Sequence, residues 1–141
     1  MNDRNILIIK TSWSHVLSQP ENPGYVFYNA LFEMAPCLRH MFKSDMDQQI
    51  VKLTDMITFM VSNLQNMAEI RPEIDALARR HAHYGVKPEH YKTVGDALIR
   101  TMATISGSLW NDETKQAWVD LYNTWAEEMI TAFDHEKQNS M

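Results

Sequence analysis

Glycine and proline, the residues that interrupt helices, are scarce in this 141-residue chain and fall mainly between stretches with a helical apolar period. The loop Gln19-Pro20-Glu21-Asn22-Pro23-Gly24 closes a first segment, about Asn5 to Ser18. A second, about Tyr25 to Met34, stops ahead of Pro36, since the residue before proline avoids the helical region. After a turn with Leu38, Met41 and Phe42, a long helix is expected from about Asp47 to Met67. On it Gln49, Leu53, Met56, Ile57 and Met60 form one stripe. Pro72 suits the first position of the next helix and Gly85 the residue past its last. Ile74, Leu77, Ala78 and His81 share a face of it. Another helix opens at Pro88 and aligns Tyr91, Val94, Leu98, Met102 and Ile105. The last, after Asn111, carries Trp118, Leu121, Tyr122, Trp125 and Met129. This pattern predicts an all-α protein whose stripes bury against one another.

The length fits one domain, residues 1–141, with a frayed tail expected at about 135–141. An apolar fraction of 45% and a charged fraction of 22% are those of a globular protein. The net charge of −5, with no run of Lys or Arg, argues against nucleic-acid binding. No apolar run approaches the ~18 residues of a membrane span, and none resembles a signal-peptide core. Cys37 is the only cysteine, which excludes an internal disulfide and suits a reducing compartment. A cytoplasmic location is therefore expected. The four glycines make neither GxGxxG nor a P-loop, so no nucleotide cradle is encoded.

His81 is the odd member of its stripe. On the residue alone, the plainer reading is a buried histidine satisfied by a backbone carbonyl or by the negative end of its helix. Its surroundings change that reading. The stretch Arg80-His81-Ala82-His83-Tyr84-Gly85-Val86, followed by His90-Tyr91 and Val94-Gly95, resembles the proximal region of bacterial globins. Phe27-Tyr28-Asn29-Ala30-Leu31-Phe32, then Pro36, Leu38 and Met41-Phe42, is similar to their second helix, proline corner and haem-stacking phenylalanine. Gln49 with Leu53 matches the distal pair of single-domain bacterial globins and flavohaemoglobins, and Trp13 and Ala117-Trp118 fit the same pattern.

The resemblance implies a globin fold, a three-over-three helical sandwich around haem b. No CxxCH is present, so the haem would be held without thioether links. His81 would ligate iron through one ring nitrogen, with the other donating to an acceptor such as the Leu77 carbonyl. His83, two residues on, points elsewhere on a helix. Tyr28 and Gln49 would supply hydrogen bonds to a gas on the iron; otherwise they are a core aromatic and an exposed amide. Phe42, Leu53, Leu77, Val86, Val94 and Leu98 would line an apolar slot. Lys52 would reach a haem propionate or remain a solvated lysine. Tyr91 keeps the place of the family's proximal tyrosine, ten residues after His81. The family's partnering glutamate is replaced, on the count from Trp118, by Phe133. Losing that carboxylate weakens electron push on the iron and puts peroxidase-type chemistry in doubt.

The segment 47–67 contains no histidine, which argues against a second histidine ligand from it and leaves the distal side open to gases. Lys52, Tyr28 or a methionine could still serve as an internal ligand at rest. The leading function is reversible binding of O2, NO and similar gases. Nitric oxide dioxygenation would need a separate reductase, since no flavin or nicotinamide module is recognisable. The alternative is a gas or redox sensor acting through a partner. A monomer or homodimer is expected, with no nucleic-acid or membrane partner.

Overall fold

The computed structural model describes residues 2–42, 45–83 and 85–139, and of His83 and residues 133–139 the backbone alone. Six α-helices make up the sandwich: α1 (Asp3–Ser18), α2 (Pro23–Met34), α3 (Met46–Ser62), α4 (Arg71–His83), α5 (His90–Ser106) and α6 (Asp112–Asn139). A 3₁₀ turn, Pro36–Met41, joins α2 to the segment before α3. Among the described residues there is no strand, and no helix is long and apolar enough to cross a membrane.

Short polar side chains begin these helices, satisfying amides that lack an intrahelical partner. Asn2 accepts from the amide of Asn5, Asn22 from Gly24 and Tyr25, Asp45 from Asp47, and Asn111 from Thr114. Pro23 follows its cap at the first helical position, where a missing N–H is harmless. Gly85 takes a φ of +89° just past α4, as its place in the sequence predicts.

Two expected boundaries differ. The helix expected to run to Met67 ends at Ser62, and a 3₁₀ turn spans Leu64–Asn66. Asn63 is the cause: its side-chain amide donates to the Phe59 carbonyl at 2.8 Å, competing with the backbone ladder. The turn directs Leu64 and Ile70 into the core. The helix expected to open at Pro88 starts instead at His90. Before it, the His90 and Tyr91 amides donate to the carbonyls of Lys87 and Pro88, which makes a turn.

Helices α2, α5 and α6 form one layer, and α1, α3 and α4 cross it. Trp118 and Trp13 are almost wholly buried at the centre. Their indole N–H groups donate to Ser12 and Thr58 at 3.1 and 3.0 Å, tying α1 to α6 and to α3. Burying indoles this large contributes several kcal/mol each, and the hydrogen bonds remove the penalty of hiding their N–H groups. Helix α4 packs chiefly on α6, where Arg71 meets Glu128 at 2.8 Å. Among the described residues, helices α3 and α4 have no extensive contact with each other. That gap positions everything that follows.

Close approach of α2 to α3 depends on Gly24. A Cβ there would lie 2.7 Å from Ile50 Cγ2 and 2.8 Å from its carbonyl oxygen. Alanine would gain ~0.5–1 kcal/mol of helix propensity. Overpacking against immobile backbone costs about 1–3 kcal/mol and wins. Gly24→Ala is therefore expected to lower stability by about 1–2 kcal/mol net, read as an earlier urea midpoint; a later midpoint would contradict this packing.

Candidate functional site

The gap between α3 and α4 is edged by apolar side chains that the fold leaves half-buried. Leu53 and Met56 come from α3, Leu77 from α4, Phe42 and Val86 from the connecting segments, and Val94 from α5. Leu98 and Tyr91 on α5 are buried behind them. Half-covered apolar groups on elements with no extensive mutual contact form a surface that an apolar body would cover. Of the expected lining, Phe42, Leu53, Leu77, Val86 and Val94 are half-buried and Leu98 is buried. Lys52 is exposed on α3 and, among the described residues, forms no ion pair.

His81 stands on the α4 side. Its Nδ1 lies 2.8 Å from the carbonyl oxygen of Leu77, the partner expected from one turn earlier. A carbonyl can only accept, so Nδ1 carries the proton and Nε2 keeps its lone pair. Burial holds the imidazole pKa below its ordinary value, an effect that the Leu77 hydrogen bond partly opposes and the Arg80 charge reinforces. At neutral pH the ring is therefore a neutral base with one nitrogen oriented by the backbone and the other available. Among the described residues no three His, Cys, Asp or Glu side chains gather into a metal site. A metal bound through His81 would bring its other ligands with it, as iron in a porphyrin does.

Helices α2 and α3 bring Tyr28 and Gln49 together. The Gln49 side-chain amide donates to the Tyr28 hydroxyl oxygen at 3.4 Å. Tyr28 is 7% exposed and sits in an aromatic cluster, edge-on to Phe27 and Phe42 at centroid distances of 5.0 and 5.3 Å. Phe32 completes the cluster, with the Arg39 guanidinium 5.2 Å above its ring. Burial raises the Tyr28 pKa, and the Gln49 hydrogen bond offsets this only in part. The phenol thus keeps its proton, and among the described residues it donates to no protein acceptor.

Tyr91 is buried, and its backbone carbonyl accepts from the Tyr122 hydroxyl at 2.6 Å. A Cβ on Gly95 would meet the Tyr122 ring at 2.6 Å, so the glycine admits that ring. This α5–α6 lock was missed in the sequence reading, although a glycine inside a helical pattern was its signal. The packing of Phe32 against Tyr28 and Phe42 is a contact that the sequence reading did not assign. The side chains of His83 and Phe133, and the tail expected at 135–141, lie outside the described side chains.

Half-buried apolar side chains, an imidazole oriented by a backbone carbonyl and a phenol–amide pair thus come together on the helices of a six-helix sandwich. The chain belongs to the globin family, whose sequence profile matches residues 26–129. Over 133 residues it is 25% identical to a flavohaemoprotein of Bacillus subtilis, a match covering 92% of this chain and 33% of that protein. The chain spans a quarter to about a third of the length of the curated flavohaemoproteins it matches. A bacterial globin from Campylobacter jejuni superposes with a TM-score of 0.83 at 25% identity, covering 97% of this chain and 99% of that one. An engineered carbene transferase from Rhodothermus marinus shares the fold with a TM-score of 0.88 at 20% identity, covering 100% and 99%.

Family membership implies a haem cofactor, and the residues fit one: an apolar slot, a neutral imidazole with a free nitrogen, and hydrogen-bond donors on the facing helices. Because the His81 pKa is depressed, its nitrogen stays unprotonated below the ordinary value of 6.5. Haem retention is accordingly expected to stay level as pH falls through 6.5 and to decline only at more acid pH, followed by loss of the Soret band. His81→Ala should lack a stable Soret band at any pH; a wild-type spectrum from it would refute the role of His81.

Proposed function

We propose that this chain is a globin domain that holds haem b non-covalently through Nε2 of His81 and binds O2, NO and similar gases reversibly. The observation that supports this reading best is a neutral imidazole on α4 oriented by the Leu77 carbonyl, together with a Tyr28–Gln49 pair that joins α2 to α3. Gln49 donates to the phenol oxygen, which turns the Tyr28 hydrogen towards another acceptor. A gas bound to iron gathers negative charge, and a preset O–H donor beside it is worth roughly 1.5–3 kcal/mol. Phe42, Leu53, Leu77, Val86, Val94 and Leu98 exclude water from the haem faces, Tyr91 backs the proximal side, and Lys52 engages a propionate.

Tyr28→Phe removes the donor and keeps the ring packing. O2 dissociation is expected to quicken roughly tenfold to a hundredfold, measured by stopped flow. Equal rates would show that Tyr28 does not donate to the ligand.

The haem supplies redox and gas chemistry when bound; the protein residues orient the ligand and keep the slot dry. Nitric oxide dioxygenation is the enzymatic form of this reading, supported by the similarity to flavohaemoproteins, with electrons coming from outside this stretch of chain. Mixing the O2-loaded protein with NO should yield nitrate in proportion to haem; its absence would restrict the function to gas binding. A cytoplasmic monomer or homodimer suits this role.

A further inference from the structure

The charge of this chain is unevenly distributed. Residues 76–92 carry four cations, Arg79, Arg80, Lys87 and Lys92, against one acid, Glu89. Their net charge of +3 stands in a chain of −5, which leaves −8 on the rest. Lys92 is neutralised by Asp96 at 3.2 Å. Arg4, Arg71 and Arg100 are likewise matched, by Glu113, Glu128 and Glu33 on other helices. Among the described residues Arg79, Arg80 and Lys87 form no ion pair, not even Arg79 with Asp75 one turn before it, and all three are exposed.

These three cations surround the end of α4 that bears His81. Arg80 is its covalent neighbour. Lys87 follows Val86, whose amide donates to the His81 carbonyl at 3.0 Å. The surface they form is thus joined to the ligating imidazole by a few covalent bonds and one hydrogen bond. The acidic remainder of the molecule repels an acidic protein, while this rim attracts it. Such asymmetry raises encounter rates by about 10 to 1,000-fold at low salt and orients the complex.

We propose that this basic rim is the docking surface for an acidic one-electron donor protein that reduces the haem iron. The inference rests on the haem reading above. In the step, one electron leaves the reduced redox group of the donor and converts ferric to ferrous iron. The donor is oxidised by one electron, and no bond forms or breaks.

The test uses photoreduced flavodoxin of strongly negative charge as the donor and follows the Soret shift of the ferric protein in stopped flow. A double variant, Arg79→Glu with Lys87→Glu, is compared with Lys10→Glu plus Lys115→Glu, which changes net charge equally elsewhere. Arg80 is left intact, since a haem propionate could also engage it. The rim variant should be reduced about tenfold or more slowly at low salt and lose its salt dependence, while the control stays near wild type. Reduction by lumiflavin, which has no acidic surface, should be the same in all three. Carbodiimide coupling to oxidised flavodoxin should join it through Lys87. Unchanged rates in the rim variant, an equal drop in the control, or coupling confined to Lys10 and Lys115 would each overturn the proposal. Absence of a Soret band in the wild type would instead overturn the haem reading, and so separates the two failures.

Discussion

Helices α3 and α4 both carry apolar side chains, but each is anchored on different partners, α3 on α1 and α2 and α4 on α6, and the candidate site depends on that separate anchoring. Left alone, the hydrophobic effect would bring Leu53 and Met56 against Leu77. The anchoring of each helix elsewhere prevents it. Helix α3 is fixed to α1 by the Trp13–Thr58 hydrogen bond and to α2 by the close crossing at Gly24. Helix α4 rests on α6, with Arg71 and Glu128 joining them at its start. The half-buried side chains facing the gap remain as apolar surface for a cofactor to cover. A group that binds there stabilises the folded state by mass action as well as by its contacts.

Within the slot, polarity is placed where burial makes it effective. The low-dielectric surroundings that strip His81 of its proton also strengthen its hydrogen bond to Leu77. The same burial keeps the Tyr28 phenol protonated and so retains it as a donor. One physical cause therefore leaves the imidazole neutral, able to give a lone pair, and the phenol protonated, able to offer a hydrogen. The aromatic packing of Phe27, Phe32 and Phe42 around Tyr28 holds the phenol in place without a further polar contact.

Much of this was legible in the residues. The start of the last helix after Asn111 and the glycine at position 85 are local effects, decided by a short side chain and by backbone freedom within a few residues. The Leu77–His81 hydrogen bond is local too, because one helical turn places that carbonyl beneath that ring. The errors arose where local signals competed. A continuous apolar stripe extended α3 past Asn63, whose side chain took a carbonyl from the ladder. Pro88 read as a helix start, although the turn before α5 required its carbonyl first.

What the sequence determined by itself was the set of helices, their apolar faces and the one imidazole made unusual by its apolar neighbours, since periodicity and capping act over a few residues. Only the tertiary structure decided that Gln49 reaches Tyr28, that Tyr122 locks onto the carbonyl of Tyr91 beside Gly95, and that α3 and α4 are anchored on different partners. These are contacts between segments 21 to 31 residues apart or more, and no local preference specifies them. They follow from how whole helices pack, where shape and burial summed over the core choose each crossing.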